Sequence, residues 1–151
     1  MIGGGPTIQE ATEATDEVVA AVQRLVPQLS RNAAVPTAEE VAEIATSPAT
    51  VLLLARDDAT GDIIGSLTLA LFRIPTGLRA WIEDVVVDGD ARGQGVGGAL
   101  TQEALRRAVE AGARTVDLTS RASRQAANRL YQRMGFQQRD TNVYRWTADA
   151  G

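Results

Sequence analysis

A glycine-rich segment in the middle of the chain has the composition of an anion-binding turn. It reads Arg92-Gly93-Gln94-Gly95-Val96-Gly97-Gly98. The residues before it, 82–88, are rich in β-branched side chains and predict a strand, and apolar residues after it recur at helical spacing as far as Val109. The first N–H groups of a helix lack intrahelical partners and lie at the positive end of its dipole, and glycine lets phosphate oxygens approach the backbone. The segment therefore predicts a site for a phosphorylated ligand.

Two adjacent carboxylates, Glu83 and Asp84, lie on the strand that leads into this turn. A carboxylate can accept a proton from a substrate, directly or through a water molecule, and the chain has no histidine for that task. Successive side chains of a strand point to opposite faces of a sheet, so only one of the two faces a cleft unless a bulge turns the other. We expect Glu83 to be the base, whereas Asp84 is equally well explained as a charge at the edge of the strand.

The composition excludes several kinds of chemistry. The absence of cysteine excludes disulfides and thiolate nucleophiles, and with histidine absent as well we predict no bound metal. Aromatic residues make up only 4% of the chain and do not interleave with a basic stripe, so we predict no role in binding nucleic acid. The N-terminus has no signal-like segment and no apolar run is long enough to span a membrane, so we expect a cytoplasmic protein.

The net charge of −4 conceals an asymmetry between the two parts of the chain. Residues 1–91 hold five arginines against 14 acidic residues, and residues 92–151 hold ten arginines against five acidic residues. All 15 basic residues are arginine, so most of them are expected to lie on solvated helix faces. The acidic first part favours a cationic small molecule or peptide as a partner.

The order of the elements distinguishes between the known phosphate-binding turns. A P-loop requires lysine, which the chain lacks, and a dinucleotide-binding fingerprint belongs in an N-terminal βαβ unit. Here two helices and an antiparallel hairpin are expected before the turn.

Four helices are predicted. The first runs from Thr15 or Asp16 to Val26 and is ended by Pro27, and the second runs from a Thr37–Glu40 capping box to Thr46. The third runs from the glycine turn to Ala111, and the fourth covers 123–134. Strands are predicted over about 6–11, 50–55, 63–71, 79–87, 115–119, 136–139 and 143–147.

A second motif, Leu130-Tyr131-Gln132-Arg133-Met134-Gly135-Phe136, accompanies the glycine turn. Together the two resemble the GCN5-related N-acetyltransferase (GNAT) superfamily, and the run Ile82–Val87 is locally similar to glucosamine-6-phosphate N-acetyltransferases. The resemblance implies an α/β (α+β) fold in one domain, 1–151, whose residues 1–5 we expect to be flexible. Its central sheet would be mixed and mostly antiparallel, with six to seven strands and about four flanking helices. It also implies a homodimer, and direct transfer of an acetyl group from acetyl-CoA to a primary amine.

The resemblance assigns roles to particular residues. The glycine turn would hold the pyrophosphate of coenzyme A, and the backbone of Val85, Val86 and Val87 would pair with the pantetheine arm. Tyr131 would be the general acid that protonates the departing thiolate. Asn128 lies on the same helical face and would contact the cofactor arm, although the asparagine of the family pattern stands seven residues before the tyrosine, where this chain has Arg124.

The acceptor amine is left open, as a small-molecule amine, an amino sugar or a peptide. The resemblance implies a pocket formed by Leu29–Pro36, Phe72–Arg79 and Asp140–Trp146. Four side chains could contact an acceptor, although an ordinary place in the surface or core explains each of them better: Arg31, Arg73, Arg79 and Trp81. The alternative function is a catalytically quiet module that binds or senses acyl-CoA, but such a module would need neither Glu83 nor Tyr131.

Overall fold

The computed structural model describes residues 5–149, which form two compact units whose boundary in the sequence lies between Thr119 and Ser120. The expected single domain over 1–151 remains a prediction. The expected flexible start, residues 1–5, lies outside the described residues except for Gly5.

The first unit contains one five-stranded sheet with the strands in chain order. The strands are β1 Thr7–Ala11, β2 Thr50–Arg56, β3 Ile63–Ile74, β4 Gly77–Val87 and β5 Val116–Asp117. The first four pair antiparallel, and β4 pairs with β5 in parallel. A mixed, mostly antiparallel sheet is therefore confirmed.

Four α-helices accompany the strands in the described part of the chain. They are α1 Asp16–Leu29, α2 Ala38–Thr46 and α3 Val96–Ala111 in the first unit and α4 Gln125–Arg133 in the second. The Thr15 hydroxyl caps α1, and the predicted capping box of Thr37 and Glu40 begins α2. Gly112 ends α3 in the left-handed conformation, as its position after the periodic residues predicts. Within residues 5–149, no helix combines the length and the apolar character needed to cross a membrane.

The sheet has two faces, which the strand register distinguishes. Leu52, Leu54 and Val86 share one buried cluster with residues of α1 and α2, and we call this side the α1 face. The other side, the α3 face, carries Gly65, where a Cβ atom would lie 3.1 Å from Val96 Cγ1 and 3.2 Å from Leu100 Cδ1. Glycine at this position lets α3 approach the sheet closely, so that the helix begins beside the end of β4.

The predicted number of six to seven strands was wrong, because the described residues hold five. Residues 136–139 and 143–147 are not strands: a strand requires backbone bonds to a neighbour, and residues 137–149 make none with the described part of the chain. Tyr144 and Trp146 are 88% and 86% exposed, so little apolar burial offsets the entropy of ordering this segment.

Pro27 does not end α1, contrary to the prediction, because the helix continues to Leu29. Proline removes one N–H, which would have bonded to the carbonyl of Gln23, and this loss falls in the last turn. The helix then ends at Leu29, where the N–H of the following Ser30 bonds to the Val26 carbonyl at 3.2 Å.

Other boundaries also differ from the prediction. β3 and β4 extend to Ile74 and Gly77 because the hairpin turns within only two residues, Pro75 and Thr76. β5 is shorter than predicted, and a short 3-10 helix over Gly89–Ala91 precedes the glycine turn.

Candidate active site

The glycine turn leaves backbone donors exposed at the start of α3. Gly93 and Gly95 have φ angles of 81° and 78°, a region that favours glycine, and a Cβ atom at either position would meet no atom within 4 Å. Gly95 occupies the N-cap of this 16-residue helix without a side chain to cap it, and the first helical bond runs from the Ala99 N–H to the Gly95 carbonyl. The N–H groups of Val96, Gly97 and Gly98 therefore have no partner within the helix, which fits a phosphate-bearing ligand.

A bulge in β4 turns both carboxylates towards solvent. Ser66 pairs with Val86 but Thr68 pairs with Glu83, so β4 contains one residue more than β3 between these pairs. Asp84 has a φ of 51°, the one positive value at a non-glycine residue among residues 5–149. As a result Glu83 and Asp84 are both exposed, whereas a regular strand would have placed them on opposite faces.

The edge of β4 beyond the bulge lacks a strand neighbour on the β5 side. The ladder with β5 is confined to Ala80 and Trp81, and within residues 5–149 no strand pairs with Val85–Val87 from that side. On the other side Val86 and Val87 pair with β3. The free peptide groups of this edge are available to an extended ligand, and pairing of Val85–Val87 with the pantetheine arm remains a prediction.

Several contacts fix the segment between β4 and the glycine turn. The Asp88 N–H donates to the Ile64 carbonyl at 2.8 Å, and an Asp88 carboxylate oxygen accepts from the Asp90 N–H at 3.2 Å. Gln28 of α1 accepts a hydrogen bond from the Gly89 N–H at 2.9 Å. Sequence reasoning missed Gln28, since no local pattern connects residues that lie 61 positions apart.

A cleft of about 530 Å³ lies on the α1 side of this segment and includes Gln94 in its lining. Among the described residues that line it, Arg24 is the one basic side chain, and the acidic ones are Glu17, Asp57, Asp62, Asp88 and Asp90. This charge disfavours phosphate groups on the α1 side of the turn. Within residues 5–149 no group of three or more acidic residues has the arrangement of a metal site.

In the second unit, α4 carries Asn128 and Tyr131 one turn apart. Tyr131 is 8% exposed, and burial raises the pKa of its hydroxyl above the ordinary value, although the charge of Arg124 acts in the opposite direction. The phenol is therefore protonated at neutral pH and able to donate. Its ring contacts Phe136 edge to face, with the ring centroids 5.6 Å apart.

Two further features of the second unit bear on the predicted site. The Asn128 side-chain amide donates to the Arg121 carbonyl at 3.0 Å and so secures the turn before α4. A contact of Asn128 or Arg124 with a cofactor remains a prediction. The buried hydroxyl oxygen of Ser120 has no hydrogen-bond partner in the described part of the chain, and nothing in the sequence had marked this residue.

The fold and these features define a class of protein, the acetyltransferases that combine a bulged β4 strand with a glycine turn at the start of α3. The acetyltransferase (GNAT) family matches residues 19–136, which is most of the chain, and the protein belongs to that family. Members of the family are transferases that generally use acetyl-CoA as the acetyl donor.

A relative found by sequence agrees with this assignment. An uncharacterized N-acetyltransferase of Methanocaldococcus jannaschii is 36% identical over 61 residues, which are 40% of this chain and 27% of that protein. The chain thus spans about a quarter of that relative's length.

Solved structures resemble nearly the whole chain. A protein described as a transcriptional regulator from Bacillus halodurans C-125 matches with a TM-score of 0.78 and 25% identity, over 94% of this chain and 99% of that one. Glucosamine-6-phosphate N-acetyltransferase from Arabidopsis thaliana matches with a TM-score of 0.76 and 19% identity, over 96% and 100% of the two chains. The predicted likeness to that enzyme is confirmed for the fold.

Proposed function

We propose that the protein is an acetyl-CoA-dependent N-acetyltransferase that transfers the acetyl group directly to a primary amine. The observation that carries the proposal is the continuous path in the first unit from the exposed carboxylates, along the unpaired edge of β4, to the uncapped start of α3. A phosphorylated, extended acyl donor matches the unpaired edge of β4 and the start of α3. An amine that must lose a proton matches the exposed carboxylates.

In this proposal the backbone of the chain holds the donor. The N–H groups at the start of α3 and the adjacent Arg92 bind the pyrophosphate, together with Gly93, Gln94 and Gly95. Peptide groups of Val85–Val87 pair with the pantetheine arm, and one of their N–H groups polarises the thioester carbonyl. Coenzyme A supplies a thioester, whose carbonyl carbon is open to attack by an amine.

The proposed transfer needs one base and one acid. The amine nitrogen bonds to the carbonyl carbon while its proton passes to Glu83, directly or through water, with Asp84 as the alternative acceptor. The carbon–sulfur bond then breaks, and the departing thiolate takes the proton of the Tyr131 hydroxyl. The products are an amide and the free thiol of coenzyme A. The Tyr131 phenol is protonated at neutral pH, so its proton is available when the thiolate forms.

The test is a thiol-release assay with acetyl-CoA against a panel of amines, amino sugars and peptides. For any acceptor found, Glu83→Gln and Tyr131→Phe are expected to lower kcat by about a hundredfold or more, the usual contribution of a general acid or base. Variants that leave the rate unchanged would refute the mechanism. Thermal stabilisation by coenzyme A without thiol release from any amine would instead favour a quiet acyl-CoA-binding module.

A homodimer and a cytoplasmic location are part of the same proposal. The homodimer derives from the family resemblance and the cytoplasmic location from the sequence. Sedimentation of the purified protein tests the homodimer.

A further inference from the structure

Part of the α1 face of the sheet, next to the β3–β4 hairpin, is uncovered. The register pairs Thr68 with Glu83, Ala70 with Trp81 and Phe72 with Arg79, and these pairs all lie on the α1 face. Phe72 is 42% exposed, Glu83 and Arg79 are exposed, and Trp81 is half-buried. The α3 face of the same strands is closed, since Leu69, Ala80 and Ile82 are at most 3% exposed.

The uncovered part presents three different chemistries in a row along β4. Glu83 offers a negative charge, Trp81 a flat aromatic surface and Arg79 a positive charge. Successive residues on one face of a strand lie roughly 6.7 Å apart, so the Cα atoms of Glu83 and Arg79 are about 13 Å apart. Neither charged side chain has an ion-pair partner among residues 5–149.

The tip of the hairpin beside Arg79 carries no opposing charge. A cleft of about 440 Å³ there includes Arg73, Arg79 and Arg114 in its lining, and none of the described residues that line it is acidic. The register places Arg73 on the α3 face, so Arg79 is the guanidinium group that an anionic group at this end of the α1 face would meet.

We propose that this row binds the acceptor of the transferase, and that the acceptor carries a primary amine, a flat or apolar middle and an anionic group at the far end. The inference rests on the proposed function, because that function fixes the orientation. The amine must lie at Glu83, beside the bulge and the Val85–Val87 edge, and the anionic end then lies at Arg79. The anion is a carboxylate or a phosphate, since a guanidinium group binds both through paired hydrogen bonds.

The probe compounds are 4-(aminomethyl)benzoate, the corresponding phosphonate, the corresponding carboxamide and benzylamine. In the thiol-release assay we expect kcat/KM to be about tenfold or more higher for an anionic probe than for the carboxamide, the effect of about one charge-assisted hydrogen bond. A comparison of kcat/KM for the carboxylate and phosphonate probes shows which of the two anions the row prefers.

Arg79→Gln is expected to abolish this preference through a higher KM for the anionic probe, while KM for acetyl-CoA stays unchanged. Arg106→Gln, which removes an exposed arginine paired with Glu103 and Glu110 of its own helix, is the control for net charge and should keep the preference. Equal rates for the anionic probes and the carboxamide, or a preference that survives Arg79→Gln, would overturn the inference and leave the transferase proposal standing.

Calorimetric binding in the presence of coenzyme A separates the two proposals when no amine is acetylated. If an anionic probe binds and Arg79→Gln weakens that binding about tenfold, the acceptor row is supported even though the proposed reaction has failed. No binding of either anionic probe would overturn the acceptor row.

Discussion

Arg107 of α3 and Glu10 of β1 form an ion pair, in which Arg107 Nη1 lies 2.5 Å from Glu10 Oε1. The same guanidinium group donates through Nε to Glu103 at 2.7 Å. Both side chains of the pair are mostly buried, at 25% and 30% exposure. The contact ties the helix that begins at the glycine turn to the edge strand of the sheet.

We expect Arg107→Met to lower the free energy of unfolding by about 1 kcal/mol, the upper part of the range for ion pairs near the surface. Arg106→Met is the matched control, because among residues 5–149 Arg106 bonds only to Glu103 and Glu110 of its own helix and is more exposed. Urea titration should show the smaller loss for Arg106→Met. Equal losses would mean that the tie between α3 and β1 contributes nothing.

Stability should depend on pH through Glu103. Hydrogen bonds from Arg106 and Arg107 lower the pKa of this carboxyl from 4.5 to about 2. A carboxyl with a lowered pKa stabilises the fold above the pKa of the unfolded state, and this contribution disappears as pH falls from about 4.5 towards 2. Urea titrations between pH 5 and 2.5 should show a steeper loss of stability for the wild type than for Glu103→Gln. Parallel curves would contradict the assignment.

Gln28→Ala should weaken acetyl-CoA binding severalfold, because it removes the acceptor that fixes the Gly89 N–H three residues before Arg92. Gln23→Ala removes another glutamine of α1, whose side chain donates to the Pro36 carbonyl, and should retain most of the affinity. Calorimetric titration with acetyl-CoA measures both variants. An unchanged Kd for Gln28→Ala would show that the turn is fixed without this contact.

Gly95→Ala should reduce acetyl-CoA affinity about tenfold or more, since a methyl group and a strained φ of 78° would stand where phosphate oxygens approach. Gly61→Ala is a close control, because Gly61 has the same φ and equally open surroundings in the β2–β3 turn. Both variants should lose about 1 kcal/mol of stability, but only Gly95→Ala should lose affinity. A similar loss of affinity in both would point to a general effect of stability.

Features set by neighbouring residues were predictable from the sequence. The strand, glycine turn and helix around Gly95 follow from side-chain type and spacing, as do the capping box of Thr37 and Glu40 and the stop at Gly112. Each depends on contacts within a few positions of the chain, so the local pattern contains the information.

Features that depend on distant partners were not predictable. Residues 143–147 have the composition of a strand but make no backbone pairs with the described residues, because composition cannot supply a neighbouring strand. The bulge at Asp84 depends on how β4 pairs with β3, and the role of Gln28 depends on α1 packing beside the end of β4. The sequence could say only that a bulge would be needed for both carboxylates to be accessible.

The bulge also changes how β4 tolerates insertions and deletions. Ile82 lies on the α3 face and Val86 on the α1 face, although four positions along a regular strand would return to the same face. The strand therefore alternates in one phase before Asp84 and in the opposite phase after it. Loss of Asp84 would restore the regular alternation, because Val86 would then lie three positions after Ile82 and would stay on the α1 face. The deletion should therefore spare the core and remove the bulge that exposes both carboxylates, so the length of this strand serves the site rather than the packing.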